Sequence, residues 1–257
     1  KIIFCKEHKI NIGLSVDGPR SITDMTRKAE NGMGAYPMII HAMELLKKHD
    51  YIPSLSVTIS EDVLRNQATV IDWLQEMHLS FGIKDISYNL LRFQDEGFDK
   101  KKYSIAASSF IIASYKQLGD IINDSRINRK ILSLTRSTFF YGDCAAITGN
   151  QIVLKANGDI GLCQVFCQSD ETTVGNVSAG SLSGIIENAV IPALGKYKHF
   201  LPVFRKSCQE CEAIFTCGGG CYWESGECDK SCDIGYCQYS KILHAWMLGC
   251  LDKQATE

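Results

Sequence analysis

The chain has 257 residues, enough for one large domain or a medium domain with a smaller appendage. Its 45% apolar and 22% charged content excludes disorder as the main state. With 27 basic against 29 acidic side chains, the formal charge of -2 gives no global electrostatic case for nucleic acid or an anionic membrane, so neither is expected as a partner. No uninterrupted apolar run approaches the roughly 18 residues of a transmembrane helix, and the start Lys1-Ile2-Ile3-Phe4-Cys5-Lys6 lacks the layout of a signal peptide. A cytoplasmic location is the expectation.

From residue 10 to about residue 93, short apolar strand patterns alternate with helical ones. Ile10 to Val16 is β-branched and apolar and breaks at the turn signal Asp17-Gly18-Pro19. Tyr36 to His49 carries Met38, Ile39, Ala42, Met43, Leu45 and Leu46 at helical spacing. Leu55 to Ile59 is a second strand, followed by Ser60 as an N-cap with Glu61 and Asp62 in the first turn. An apolar stripe of Val63, Val70, Ile71 and Leu74 continues that helical region, and Ile86 to Leu91 is a third strand. Strand, helix, strand, helix, strand predicts a parallel sheet or barrel with helices outside. Sites in such sheets form at the C-terminal strand ends, here Ser15 to Gly18, Thr58 to Ser60 and Leu90 to Phe93.

Gln94 to Lys102 reads as a charged linker, and Tyr103 to about Phe140 as helix with Phe110, Ile111, Tyr115, Leu118, Ile121 and Ile122 on one side. Beyond Cys144, Gln151 to Lys155 and Asp159 to Cys163 flank Asn157-Gly158, a strong hairpin signal.

Of the 12 cysteines, Cys5 stands alone and the other eleven follow residue 143. Such density in a chain without an export signal favours metal binding over a disulfide framework. The order is Cys144-x13-Gly158-x4-Cys163, then Cys208-x2-Cys211-x5-Cys217-x3-Cys221, then Cys237. A pair two residues apart lets two thiolates converge from one turn, and Gly218-Gly219-Gly220 lets backbone approach an inorganic centre. Iron-sulfur clusters and structural zinc both take such ligands, and spacing leaves both open.

This cysteine order resembles the SPASM domain of radical S-adenosylmethionine enzymes, a group that includes peptide maturases and anaerobic sulfatase-maturating enzymes. Gly175-Asn176-Val177 with Ser181-Leu182 is similar to the segment the family places between its cysteine groups. Separately, Leu14-Ser15-Val16-Asp17-Gly18-Pro19, with Thr23-Asp24-Met25-Thr26-Arg27 and Gly32-Met33-Gly34-Ala35-Tyr36 after it, resembles the fourth strand and following loop of the family's barrel.

The resemblance implies an α/β fold: the second half of a partial (β/α)6 TIM-like barrel over 1–102, connecting helices over 103–143, and a small cysteine-rich SPASM domain with a β-hairpin and short helices over 144–257. It implies a first 4Fe-4S cluster that cleaves S-adenosylmethionine, and two auxiliary 4Fe-4S clusters. Carried over, Cys208, Cys211, Cys217 and Cys237 hold the second auxiliary cluster, and Cys144, Cys163 and Cys221 the first. Ser15, Arg27 and Leu91 fall at positions that contact S-adenosylmethionine; a guanidinium suits its carboxylate. A precursor peptide and an electron donor such as flavodoxin or ferredoxin are the implied partners.

Three departures shape the expectation. The family's Cys-x3-Cys-x2-Cys loop does not occur before residue 208, so the chain reads as the C-terminal part of a longer enzyme and alone should not cleave S-adenosylmethionine. Sulfatase-maturating enzymes place an aspartate after the position of Cys163, where this chain has Gln164, which accepts no proton at neutral pH. Only three cysteines match the first auxiliary cluster, leaving its fourth iron open or closed by Cys167 or another ligand. These points favour a maturase forming a thioether or carbon cross-link in a ribosomally made peptide over a sulfatase-maturating enzyme. The alternative is a non-catalytic iron-sulfur module for electron transfer or peptide binding. Cys228 and Cys232 read as spare thiols, a redox pair or substitutes for Cys237. Half a barrel would also leave a strand edge and an apolar face exposed, so self-association is expected.

Overall fold

Ser54–Ile59 carries the alternation that organises the first half of the chain. Leu55, Val57 and Ile59 are fully buried, while Ser54, Ser56 and Thr58 on the opposite side are half-buried, the two-residue period of a strand with unlike faces. The computed structural model describes residues 1–92, 97–119, 121–136, 138, 140, 144–165, 172–225 and 233–256. The chain divides into two units, Lys1–Arg129 and Lys130–Glu257, with the boundary inside the 103–143 stretch.

In the first unit, Ser54–Ile59 is β2, the middle of a parallel three-stranded sheet between β1 (Gly13–Ser15) and β3 (Ile86–Leu90). Around it run α1 (Ile2–Glu7), α2 (Arg20–Thr26), α3 (Tyr36–Lys48), α4 (Glu61–Arg65), α5 (Gln67–Phe81) and α6 (Lys100–Leu118). The Ser60 side chain caps α4 by accepting the Val63 N–H at 3.3 Å, and Gly82, at φ 71°, terminates α5 in the left-handed region. The apolar face of the sheet forms a core with Val70, Ile71, Trp73, Leu74 and Met77 of α5 and Phe110 and Ile111 of α6, all buried. Tyr88 meets Phe110 edge-on at 5.5 Å. β1 is an edge strand, and Ile10, Met25, Met38 and Leu45 are exposed in its unit.

The long helix expected from Tyr103 to Phe140 is instead two. α6 ends at Leu118, and α7 (Ser125–Thr135) starts where the Asp124 carboxylate accepts the Arg126 and Ile127 N–H groups at 2.8 and 3.4 Å.

In the second unit, α8 (Ala145–Thr148) precedes β4 (Val153–Leu154) and β5 (Asp159–Gly161), which pair antiparallel about the expected Asn157-Gly158 turn, Gly158 lying at φ 86°. A third strand, β6 (Thr173–Asn176), pairs antiparallel with β5. Helical turns follow as α9 (Leu182–Ile185), a π turn (Ile186–Val190) and α10 (Ile191–Leu194), and the chain closes with α11 (Ile234–Thr256). Leu162, Cys163, Ile147, Val190, Tyr197 and Phe200 form a buried cluster against which Cys144, Tyr222 and Trp223 pack. No helix among the described residues is long and apolar enough to cross a membrane.

Candidate functional site

The face of the parallel sheet turned away from its core is made of small and polar side chains. Ser15 pairs in register with Ser56 and Ser56 with Ser87, while Thr58 pairs with Asn89, so these five residues share one side. Asn89 Nδ2 donates to Ser56 Oγ at 2.6 Å.

Asp17, just beyond the end of β1, organises the C-terminal end of this face. It is 2% exposed, and its carboxylate accepts hydrogen bonds from Thr26 Oγ1 at 2.7 Å, Arg27 Nη2 at 2.8 Å and the Thr58 N–H at 2.9 Å. Sequence reasoning takes Asp17 as a cap for its own turn; its bonds reach across to α2 and β2 instead. Thr23 Oγ1 serves the turn, accepting the Asp17 N–H and donating to the Gly18 carbonyl. Arg27 Nη2 also reaches Thr58 Oγ1 at 3.4 Å, whereas its Nε is buried with no hydrogen-bond partner among the described residues. A buried guanidinium N–H without an acceptor costs about 1–3 kcal/mol or more. The Nε itself is closed off, but the Arg27 side chain is 27% exposed, so the outer edge of its guanidinium can meet a small anion, and the site fits the carboxylate of an S-adenosylmethionine molecule.

The ends of β2 and β3 are tied by Tyr103. Its hydroxyl donates to the Ile59 carbonyl and accepts the Leu91 N–H, both at 2.7 Å. Burial pushes this phenol up to about 12, opposed in part by the Leu91 N–H. Leu91 is half-buried at the end of β3 and Ser15 is exposed at the end of β1.

In the second unit, Cys144, Cys163, Cys208, Cys211, Cys217, Cys221 and Cys237 carry thiols rather than disulfides. Cys163 belongs to the buried apolar cluster, and Cys144 packs against it, as do Tyr222 and Trp223, which follow Cys221. The backbone turn of 208–211 is closed by the Cys211 N–H to the Cys208 carbonyl at 3.0 Å, and that of 213–217 by the Cys217 N–H to the Ala213 carbonyl at 2.8 Å. Asp233 joins the remaining two: its Oδ2 accepts the Cys221 N–H at 3.3 Å and its carbonyl the Cys237 N–H at 2.9 Å. No local pattern marks Asp233 in the sequence. The glycine run between Cys217 and Cys221 is packed where it turns. A Cβ on Gly220, at φ 77°, would lie 2.9 Å from Asp233 and Tyr236, and one on Gly219, at φ 90°, would lie 2.9 Å from the Arg205 guanidinium. Cys167, Cys228 and Cys232 lie outside the described residues.

No three His, Cys, Asp or Glu side chains among the described residues stand close enough to grip one metal ion. A tetrahedral zinc site would bring its sulfurs to about 3.8 Å of each other. In a cubane cluster each cysteine binds its own iron and the sulfurs stand farther apart. An all-thiol donor set fits clusters of that kind.

No family model matches the chain. It is 21% identical over 248 residues to the serine-type anaerobic sulfatase-maturating enzyme of Klebsiella aerogenes, covering 93% of this chain and 59% of that enzyme. It is 23% identical over 231 residues to the cysteine-type enzyme of Clostridium perfringens, covering 85% and 60%. Native anSMEcpe with bound AdoMet superposes at a TM-score of 0.77 with 19% identity, over 100% of this chain and 71% of that one. The same enzyme with bound AdoMet and the Kp18Cys peptide gives 0.76, over 99% and 72%. The mixed α/β fold is that of the sulfatase-maturating enzymes. The chain spans 59% and 60% of the length of the two curated relatives.

These relatives correct the expectation of a thioether or carbon cross-link. That expectation rests on Gln164 and on the match of only three cysteines to the first auxiliary cluster, two local features, whereas the similarity to sulfatase-maturating enzymes extends along 85–93% of the chain. An amide in place of a carboxylate changes which group can take a proton; it does not select a different bond to be formed.

Proposed function

We propose that this chain belongs to a radical S-adenosylmethionine enzyme that oxidises a serine or cysteine side chain of a peptide or protein substrate, as its named relatives mature sulfatases. The observation that carries this reading is Arg27, fixed by Asp17 and Thr58 at the C-terminal end of a polar sheet face with its side chain still 27% exposed. When bound, S-adenosylmethionine and the cluster that cleaves it would supply the hydrogen-atom abstraction chemistry directed at the substrate side chain.

The residues of this chain bind and orient. Arg27 holds the carboxylate of S-adenosylmethionine, Ser15 offers it a hydroxyl, and Leu91 packs against the adenine. Asp17 keeps the guanidinium in place; an ion pair with one partner 3% exposed and the other 27% is more than a surface contact. Cys208, Cys211, Cys217 and Cys237 hold one auxiliary 4Fe-4S cluster, and Cys144, Cys163 and Cys221 hold another. A one-electron donor such as flavodoxin or ferredoxin would supply the electron that the cleavage of S-adenosylmethionine consumes. Gln164 can hydrogen-bond the substrate but takes no proton, so deprotonation falls to another group.

The test uses the full-length protein, reconstituted anaerobically with iron and sulfide and given S-adenosylmethionine, dithionite and a sulfatase-derived peptide with a reactive cysteine or serine. The expected products are 5'-deoxyadenosine and a peptide aldehyde, detected by hydrazide capture and mass spectrometry. A cross-linked peptide without aldehyde, or no 5'-deoxyadenosine with clusters loaded, overturns the reading.

A further inference from the structure

Lys130 is the most deeply buried cation in the second unit's described core: it lies on α7 and is 3% exposed. Its ammonium donates to the Thr216 carbonyl at 2.9 Å and to the Tyr236 hydroxyl at 3.2 Å. It also stands over the rings of Phe140 and Tyr236, 4.8 and 5.6 Å from their centroids. Thr216 directly precedes Cys217 and Tyr236 directly precedes Cys237. One buried ammonium therefore touches the residues beside two cysteines that are 20 positions apart in the chain, and it reaches them across 86 and 106 residues.

Removing an ammonium from water is costly unless anionic charge compensates it. Carbonyl and hydroxyl oxygens and ring faces solvate the head group, and a cluster held by thiolates supplies negative charge that grows when an electron is added. The carboxylate of Asp233 is also nearby in sequence, its oxygens occupied by the N–H groups of Cys221 and Tyr236. The loop is clamped from a second side as well, since Thr216 Oγ1 meets His244 Nδ1 at 3.0 Å.

The geometry points to Lys130 as a positioning and charge-compensating residue for the cluster of Cys217 and Cys237: it holds both ligand-bearing segments together and stabilises the reduced cluster, setting its potential higher than the thiolates alone would. The inference rests on the proposed cluster assignment. Potentials of such clusters follow net charge, hydrogen bonding and exposure, and a fixed buried cation acts through the first of these. The interaction lies outside the ligand shell, so no ligand is lost when the charge is removed.

The experiment compares wild type, Lys130→Gln and Lys130→Arg in the full-length protein after anaerobic loading with iron and sulfide. Gln keeps a donor and removes the charge; Arg keeps the charge. Iron and sulfide per chain are counted, and each variant is titrated against dithionite with the reduced clusters followed by electron paramagnetic resonance. The expected result is a shift of one auxiliary cluster to more negative potential in Lys130→Gln, with the other cluster unmoved, and restoration in Lys130→Arg. Unchanged potentials in a fully loaded Lys130→Gln overturn the inference. Equal loss of iron in both variants also overturns it, because the residue would then be packing and not charge. If wild type itself assembles no iron-sulfur cluster, the cluster assignment fails and not the reading of Lys130 alone.

Discussion

Replacing Tyr103 by Phe tests whether the strand ends that frame the site are held by one hydroxyl. The substitution keeps the ring, including its edge contact with Phe98 at 5.5 Å, and deletes only the oxygen between the Ile59 carbonyl and the Leu91 N–H. Each lost bond is worth about 0.5–1.5 kcal/mol net, and more where the abandoned partner is buried, so the cost is about 2–4 kcal/mol. The pH dependence has a definite sign. A phenol held protonated up to about 12 when folded, against about 10 unfolded, contributes stability that is complete below pH 10 and lost as pH climbs from 10 to 12. The difference between wild type and Tyr103→Phe should therefore shrink over that window. Urea unfolding gives the stability, and hydrogen exchange over 54–59 and 86–92 gives the location, with the Leu91 amide losing protection first. A loss below about 0.5 kcal/mol with Leu91 still protected would refute the reasoning.

Asp17→Asn keeps an acceptor for the Thr58 N–H but loses the charge facing Arg27, and should cost about 2–4 kcal/mol in urea unfolding, a value far above that of an exposed ion pair such as Arg65 with Glu61. Gly220→Ala pushes a Cβ to 2.9 Å from Asp233 and Tyr236 in a left-handed backbone, so thermal unfolding should report a loss of about 2–4 kcal/mol, whereas Gly195→Ala, which meets nothing within 4 Å, should stay within about 0.5 kcal/mol. Burial holds His244 below its ordinary value of about 6.5. Its folded form resists protonation, so stability is complete above pH 6.5 and falls as pH drops below it; His244→Gln should flatten that slope in chemical unfolding followed between pH 5 and about 8.

Much of the fold is legible where its signals are local. Alternation at 54–59, the Ser60 cap and the Asn157-Gly158 turn each lie within a few residues, and each appears in the structure. The break between α6 and α7 is hidden because Ile121 and Ile122 prolong the apolar periodicity through a non-helical segment in which Ile122 is still buried. β6 is hidden for the opposite reason: Gly175 and Asn176 are poor strand formers, and pairing with β5 overrides that preference. The hub at Asp17 joins residues 41 apart, and Lys130 joins residues 86 and 106 apart, so no window of sequence contains either. The cysteine order points to the same enzymes as the similarity along the whole chain, whereas the single position Gln164 points away from them.

The two faces of the parallel sheet argue for a ligand surface in their own right. Leu55, Val57, Ile59 and Ile86 supply a dry side that helices cover completely. On the other, Ser15, Ser56, Thr58, Ser87 and Asn89 follow one another in register. Covering that side with apolar helices would bury hydroxyl and amide groups at about 1–3 kcal/mol each where they lacked partners, and β-branched apolar residues would have served packing better. Some pair internally, as Asn89 does with Ser56, but Ser15 remains exposed and the Arg27 side chain is 27% exposed. A face built from small donors and acceptors, with a braced guanidinium at its C-terminal end, suits a polar anionic small molecule, and this holds whatever the chemistry of Gln164 proves to be.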